Sequence, residues 1–159
     1  MFELKLFKSS KLYKKKIFKN FLWQLISFLY FNTSLPGNYL RFLILKAFGA
    51  KLGRGLIIKP NIKIKYPWNL EVGDYSWIGE NVWVDNIAKV SIGNNTCISQ
   101  GVYICSASHN YKSINFDLIL APVFIGNNCW ISAKSIIGPN SQIKDNTFVK
   151  MGKNFIPQF

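Results

Sequence analysis

His109 is the only histidine in the 159-residue chain, and it lies in the stretch Ile104–Tyr111. A neutral imidazole can remove the proton from a weak nucleophile such as an alcohol, so His109 is a candidate general base. A lone histidine is usually structural or simply exposed, and the residue type alone does not identify a catalytic role. The pattern of residues around His109 has to decide between these possibilities.

Other residues capable of site chemistry form no comparable pattern. The cysteines Cys97, Cys105 and Cys129 show no C-x-x-C spacing, and we expect them to be reduced thiols. A zinc site needs about three or four nitrogen, sulfur or carboxylate ligands, and one histidine without a cysteine cluster falls short of that number. We therefore expect no metal cofactor.

A six-residue pattern extends on both sides of His109. Ten units open with Val or Ile and hold a small residue four positions later; glycine is common at the second position, where we interpret it as serving a turn. This period fits neither an amphipathic helix nor a long alternating strand. It indicates a mainly β fold, a single-stranded parallel β-helix of about four triangular coils over residues 53–149.

The spacing also assigns the aliphatic residues to three faces, A, B and C. Steps from A to B and from B to C are six residues long, whereas the steps from C to the next A are 8, 8, 21 and 6 residues. Every insertion therefore falls on the edge between faces C and A, the C–A edge. His109 lies at the base of the largest insertion, with a loop over residues 109–124. The predicted columns are Val72, Ile92, Ile125 and Ile143 on face A, Ile58, Ile78, Ile98, Ile131 and Val149 on face B, and Ile64, Val84, Ile104 and Ile137 on face C.

The N-terminal segment, residues 1–52, is different in period and charge. Residues 1–65 contain fourteen Lys and Arg against Glu3 alone, so the net charge of +13 belongs to the first 65 residues. Apolar residues at three- and four-residue intervals predict helices over about residues 17–32 and 38–48. Such a basic amphipathic segment fits either a helical cap on the coils or a helix on a membrane surface. The helical spacing of its aromatic residues disfavours nucleic-acid binding.

No signal-peptide core with a cleavage site stands at the N-terminus, and the longest apolar run, Phe21–Phe31, is too short to span a bilayer. We therefore expect a cytoplasmic protein, with the N-terminal helices as the candidate contact to the inner face of the cytoplasmic membrane.

Four stretches together resemble the hexapeptide-repeat acyltransferases, and more narrowly the colanic-acid and maltose/galactoside O-acetyltransferase branch. They are residues 66–70 (YPWNL), 98–111, 116–118 (FDL) and 125–131 (IGNNCWI). The resemblance implies a left-handed β-helix, a homotrimer with active sites between neighbouring subunits, and acetyl-CoA as the co-substrate. It further implies acetyl transfer to a hydroxyl of a sugar, or of a nucleotide- or lipid-linked sugar, in exopolysaccharide, capsule or lipopolysaccharide synthesis.

The resemblance also assigns roles to individual residues. His109 matches the catalytic general base, and the backbone N–H of Ala133 matches the donor to the oxyanion. Trp130 and Ala133 match positions that bind CoA. Asp85 and Asn86, one coil before His109, match polar residues that bind the acceptor.

Residues 150–159 depart from the family pattern and are expected to form an atypical tail. Relatives continue with a glycine-rich coil and a proline-containing tail that holds the nucleotide end of CoA, whereas here Lys153 occupies a position for a small inward residue. Burying an unpaired ammonium is costly, so we expect the last coil to be frayed or replaced. The alternative function is therefore a catalytically impaired trimeric scaffold that binds sugar or membrane.

Overall fold

The aliphatic residues of the six-residue pattern stack in three columns and form the core of a β-helix. The computed structural model describes residues 2–7 and 17–157, and within them each face is a five-stranded parallel sheet. Neighbouring coils align Val72 with Ile92 on face A, Ile78 with Ile98 on face B, and Val84 with Ile104 on face C. All these side chains are buried, and every aliphatic residue lies on its predicted face.

The strands are two or three residues long, and three of them make one coil. Face A consists of β1 (Lys51–Leu52), β4 (Leu70–Val72), β7 (Val90–Ile92), β12 (Val123–Ile125) and β15 (Gln142–Ile143). Face B consists of β2 (Ile57–Ile58), β5 (Trp77–Ile78), β8 (Cys97–Ile98), β13 (Trp130–Ile131) and β16 (Phe148–Val149). Face C consists of β3 (Lys63–Ile64), β6 (Trp83–Asp85), β9 (Tyr103–Cys105), β14 (Ile136–Ile137) and β17 (Asn154–Phe155). The antiparallel pair β10 (Ala107–His109) and β11 (Leu118–Leu120) forms a separate hairpin.

The β-helix has five coils rather than the predicted four. Its first strand begins at Lys51, two residues before the predicted start, and aligns Leu52 with Val72. The last strand, β17, lies in the segment predicted to be a tail and aligns Phe155 with Ile137. Lys153 is exposed rather than buried, so it incurs no burial cost. The prediction of a frayed or replaced last coil is therefore wrong, because Phe155 continues the six-residue period after Val149.

Glycine at the second position of a unit serves close packing between coils rather than a left-handed turn. A Cβ atom on Gly93 would lie 2.6 Å from the carbonyl carbon of Gly126, which is far inside van der Waals contact. The left-handed backbone occurs two residues later, at Asn95 (φ 51°) and Asn128 (φ 54°). Asparagine tolerates this conformation better than most residues. At these corners the glycine therefore allows close packing between coils, and the asparagine two residues later forms the left-handed turn.

The edge between faces A and B, the A–B edge, carries a ladder of side-chain hydrogen bonds. The backbone N–H of Asp74 donates to Asn94 Oδ1 (2.7 Å), and that of Asn94 donates to Asn127 Oδ1 (2.8 Å). The ladder continues at both ends, from Arg54 N to Asp74 Oδ1 and from Asn127 N to Asp145 Oδ1. Each side chain thus satisfies a backbone donor of the coil before its own.

Two helical segments cover the open end of the first coil. Helix α1 (Ile17–Ile26) continues as a π-helical turn, Ser27–Phe31, and helix α2 (Asn38–Ala47) follows. Trp23 Nε1 donates to the carbonyl of Ile64 on face C (2.8 Å), and the Asn38 side chain pairs with backbone groups of Leu56 and Ile58 beside face B. These contacts occupy strand-edge groups that would otherwise be open to pairing with another chain.

The helical cap, one of the two alternatives that the sequence left open, is therefore present. Residues 8–16, which belong to the predicted basic segment, lie outside the described residues. Short 3-10 turns occur at Leu4–Leu6 and Pro67–Asn69. Among the described residues, no helix has both the length and the apolar character needed to cross a membrane.

Candidate active site

His109 ends strand β10 of the hairpin that projects from the C–A edge. The strand pairs with β11, and His109 stands opposite Leu118. The imidazole Nδ1 lies 2.8 Å from the carbonyl oxygen of Phe116. Because a carbonyl can only accept, Nδ1 carries the proton, and Nε2 of the neutral ring keeps its lone pair. The hairpin therefore presents His109 in the tautomer that a general base requires.

Phe116 holds the imidazole through both its backbone and its ring. Its φ of 52° is unusual for an aromatic residue, and this conformation belongs to the turn that places its carbonyl at Nδ1. Its ring stacks on His109 with 4.3 Å between centroids and 7° between planes. The turn is closed by a hydrogen bond from Asn110 N to the carbonyl of Asp117 (2.8 Å). Nothing in the six-residue pattern identifies Phe116.

Residues 2–7 pack over the same hairpin. The backbone N–H of Glu3 donates to the carbonyl of Ile114 (2.9 Å), and the Phe2 ring lies 4.6 Å from the Phe116 ring. Phe7 contacts the imidazole edge-on at 5.3 Å between centroids. His109 thus lies between two aromatic rings, one stacked and one edge-on. Sequence reasoning missed this contact, since no period links residues 2–7 to the loop.

Asp85 lies at the C–A edge, one coil before the hairpin, where it stands opposite Cys105. Lys65 Nζ lies 2.9 Å from Oδ1, and the Tyr103 hydroxyl donates to Oδ2 (3.3 Å). Burial raises the pKa of Tyr103 above its usual value, and Cys105 and Asp85 raise it further, so the phenol stays protonated. The carboxylate is held in place, and it shares an edge of the prism with His109.

Asn86 has a structural position. Its side chain is fully buried, its Nδ2 donates to the carbonyl of Tyr66 (2.6 Å), and its Oδ1 accepts from the Tyr66 backbone N–H (2.9 Å). Both ends of the amide therefore join the second coil to the first. This geometry does not present Asn86 to an acceptor, and we keep only Asp85 as a candidate for that role.

Ala133 lies at the edge between faces B and C, the B–C edge, in the turn from β13 to β14. Its backbone N–H donates to no acceptor within the described part of the chain. The corresponding donors at the A–B edge, on Asp74 and Asn94, are each paired with an asparagine of the next coil. A backbone N–H that is not used within the fold can donate to a bound group, as an oxyanion donor must.

Trp130 stands on the outer surface of face B, three residues before Ala133. The residue is 54% exposed, while its Nε1 donates to Ser99 Oγ at 2.9 Å. Phe148 on the next coil packs against it at 5.2 Å between centroids. These two contacts fix the orientation of a large exposed aromatic surface beside the B–C edge.

The predicted site residues thus form two groups on different edges. His109 and Asp85 lie at the C–A edge, whereas Ala133 and Trp130 lie at or beside the B–C edge. Within one chain the full width of face C separates the groups. A single chain therefore does not bring the candidate base and the candidate oxyanion donor together.

Comparison with known proteins gives consistent similarities. A comparison with protein-family models finds no match. Over 109 residues the chain is 38% identical to the putative colanic acid biosynthesis acetyltransferase WcaF of Escherichia coli (strain K12), a match that covers 69% of this chain and 60% of that protein. The chain accordingly spans less than two thirds of the length of that relative.

Two solved structures have the same fold. A hexapeptide-repeat acetyltransferase of Vibrio cholerae O1 biovar eltor, complexed with acetyl coenzyme A, aligns with a TM-score of 0.79 and 19% identity over 92% of this chain and 79% of that chain. A galactoside acetyltransferase in complex with coenzyme A aligns with a TM-score of 0.78 and 22% identity, covering 93% and 78%. The fold prediction is confirmed. With its six-residue pattern and its five coils, the chain has the fold of these hexapeptide-repeat acetyltransferases, and its sequence is similar to that of the colanic-acid branch.

Proposed function

We propose that the protein is an acetyl-CoA-dependent O-acetyltransferase acting on a sugar hydroxyl. The observation that best supports this is the fixed tautomer of His109, with Nδ1 bonded to the Phe116 carbonyl and Nε2 left as an acceptor. In the proposed reaction Nε2 removes the hydroxyl proton while the oxygen attacks the thioester carbonyl. The tetrahedral intermediate then expels CoA as a thiolate, which takes the proton from the imidazolium. Such general-base catalysis typically contributes about 10² to 10⁴-fold.

The oxyanion of that intermediate needs a donor, and we assign this role to the backbone N–H of Ala133. The side chain of Trp130 offers an exposed surface for the pantetheine arm of CoA beside it. The two relatives solved with acetyl-CoA or CoA share this fold and support acetyl-CoA as the co-substrate here. An oxyanion donor of this kind is worth about 10² to 10³ in kcat.

Because the two groups of residues lie on different edges, we propose that the active site forms between subunits of a homotrimer. The C–A edge of one chain, with His109 and Asp85, would face the B–C edge of its neighbour, with Ala133 and Trp130. Cyclic assemblies repeat one such contact around the ring, so a trimer would contain three sites. This arrangement supplies both halves of the chemistry without any change within the coils.

For the acceptor we propose a sugar whose hydroxyls bind Asp85. The carboxylate is oriented by Lys65 and Tyr103, so it can accept hydrogen bonds from a substrate without first reorganising. The names of the relatives, colanic acid biosynthesis acetyltransferase and galactoside acetyltransferase, support a sugar and a role in surface polysaccharide synthesis. Since acetyl-CoA is a cytoplasmic metabolite, we place the reaction in the cytoplasm.

Release of CoA thiol with galactosides and nucleotide sugars as acceptors tests the proposal. We expect His109→Ala to lower kcat by about 10³-fold, because it removes the base. His109→Asn serves as a second variant that keeps a polar side chain, and an unchanged unfolding temperature and oligomer mass would exclude misfolding. Equal rates for the variants and the parent chain would refute the proposal.

The alternative, a catalytically impaired scaffold, is based on a frayed last coil and on the departure of residues 150–159 from the relatives' CoA-binding tail. Because β17 is paired with β14, the first of these reasons no longer applies. Calorimetry with acetyl-CoA distinguishes the two functions. A folded oligomer that fails to bind acetyl-CoA would favour the scaffold, whereas binding combined with acetyl transfer excludes it.

A further inference from the structure

Helix α1 and the π-helical turn after it have two apolar faces, of which only one packs on the coils. Trp23 and Phe31 are fully buried in the core. On the opposite side, large side chains at three- and four-residue intervals are left exposed, with Phe18 at 80%, Phe21 at 68% and Phe28 at 71%. This outer apolar face consists of Phe18, Phe21, Leu22, Leu25, Phe28 and Leu29.

The outer apolar face is not needed for capping the coils. Trp23 already bonds the first coil, and the buried aromatic cluster around it includes Phe31 and Phe48. Six large apolar side chains along one helix stripe form a contiguous patch, and soluble proteins rarely leave such a patch without a partner. Helix α2 adds the exposed side chains of Tyr39, Leu40 and Leu43. The stripe therefore points to a binding surface.

The charge of the surrounding chain indicates what kind of partner it is. Among the described residues up to position 65, Lys5, Lys51, Arg54 and Lys65 pair with carboxylates and Arg41 is buried. The basic residues left without an ion pair in this part of the chain are Lys19, Lys46, Lys59 and Lys63, and neither helix contains an acidic residue. A second copy of the same face would bring like charges together, which opposes self-association there. Nucleic acid would need basic groups within the stripe itself, and its six members are all apolar. An anionic surface that also accepts apolar side chains matches both the positive charge and the apolar stripe.

We propose that the outer apolar face binds an anionic lipid bilayer, with helix α1 lying parallel to the membrane plane. The phenyl rings of Phe18, Phe21 and Phe28 insert at the boundary between headgroups and acyl chains, while the unpaired lysines named above attract anionic headgroups. The first coil, which the helices cap, then lies nearest the membrane, and the later coils project away from it. This inference does not depend on acetyl transfer, and either can hold without the other.

Sedimentation with lipid vesicles tests the proposal. The full chain is mixed with vesicles of phosphatidylcholine containing phosphatidylglycerol, and separately with phosphatidylcholine alone. We expect binding to the anionic vesicles, weaker binding at high salt, and at least about tenfold weaker binding for the triple variant Phe18→Gln/Phe21→Gln/Phe28→Gln. The matched control, Tyr75→Gln/Phe124→Gln/Met151→Gln, removes three exposed apolar side chains from the coils and is expected to bind like the parent chain.

Circular dichroism and the unfolding temperature establish that both triple variants fold. The proposal is overturned if the parent chain ignores anionic vesicles, if it binds neutral vesicles equally well, or if the helix variant binds as tightly as the parent. The proposal would also be overturned if the parent chain does not bind vesicles and the helix variant has a lower oligomer mass. That result would identify a second copy of the chain as the partner of the outer apolar face. Release of CoA thiol in lipid-free buffer, measured on the same variants, separates this outcome from failure of the proposed enzyme activity.

Discussion

The Phe116 carbonyl oxygen lies 2.8 Å from His109 Nδ1, and the Phe116 ring stacks on the imidazole at 4.3 Å. One residue therefore sets both the tautomer and the ring orientation of the candidate base. The two contributions can be separated, because one uses the backbone and the other uses the side chain.

Phe116→Gly is expected to keep the backbone contact and remove the stacking. Glycine adopts the positive φ of this position readily, so the turn and its carbonyl should remain in place. We expect kcat to fall about tenfold through looser orientation of the ring, with little change in KM. Steady-state kinetics of CoA release measure both. An unchanged kcat would show that stacking does not contribute, and Asn115→Gly serves as the control for added flexibility in the turn.

A site shared between chains predicts complementation between two inactive variants. Ala133→Pro removes the proposed oxyanion donor, and Pro60 at the corresponding corner of the first coil indicates that proline fits there. We expect the variant to lose about 10² to 10³ in kcat. In trimers assembled from equal amounts of the His109→Ala and Ala133→Pro chains, about one quarter of the interfaces would combine an intact His109 with an intact Ala133.

Refolding the two chains together and measuring CoA release tests that prediction. Recovery of roughly a quarter of the parent activity is expected for a site between subunits. Each variant refolded alone is the control. If mixed trimers of verified composition recover no activity, His109 and Ala133 act within one chain. That result would contradict a site formed between the C–A edge of one chain and the B–C edge of its neighbour.

Glu71 links successive coils through Lys51 and Lys89, each with its Nζ 2.7 Å from a carboxylate oxygen. The hydrogen bond from Lys51, followed by that from Lys89, lowers the pKa of Glu71 below its usual value of 4.5. A lowered folded-state pKa means that the stabilisation is complete above the unfolded pKa and is lost as pH falls through the folded pKa. These are partly exposed ion pairs, so we expect Glu71→Gln to cost only about 0.5 to 1 kcal/mol at neutral pH.

Urea unfolding of the parent chain and Glu71→Gln at several pH values measures this effect. The difference in the free energy of unfolding should shrink as pH falls below about 4.5 and should also shrink at high salt. A difference that stays constant down to strongly acidic pH would mean that the substitution is unfavourable for packing reasons instead.

Substitutions at two glycines test whether close packing between coils, rather than a left-handed turn, is the role of the second-position glycine. Gly93→Ala would place a Cβ atom 2.6 Å from the carbonyl carbon of Gly126, and we expect it to lower the free energy of unfolding by about 3 kcal/mol. Gly101 has φ 68°, but its nearest neighbour, Lys134 Cγ, would lie 3.5 Å away. Gly101→Ala should therefore cost only about 1 kcal/mol. Equal costs in denaturant unfolding would contradict close packing as the role of the second-position glycine.

Sequence spacing predicted the faces because a six-residue period fixes the register of every coil directly. It missed only the first strand of the first coil and the last strand of the fifth, where Leu52 and Phe155 replace the usual Val or Ile. It also misinterpreted the second-position glycine, since distances between coils do not appear in a one-dimensional pattern.

The site was harder to predict than the fold for a similar reason. The position of His109 on the C–A edge followed from the length of one insertion. Its anchoring by Phe116 depends on a left-handed residue in a turn, and its contact with Phe7 joins segments about a hundred residues apart. Asn86 resembled a site residue because buried corner amides and substrate-binding amides have the same residue type.

The hydrogen-bond ladder of the A–B edge runs in one direction, from each backbone N–H to an aspartate or asparagine of the following coil. Each coil thus supplies one corner side chain to the backbone of the coil before it and binds one from the coil after it. A whole coil could be inserted or deleted while every remaining donor kept a partner of the same type. Proteins of this architecture can accordingly change length by duplication or loss of coil-sized gene segments, whereas a shift of a few residues within a coil would break the ladder.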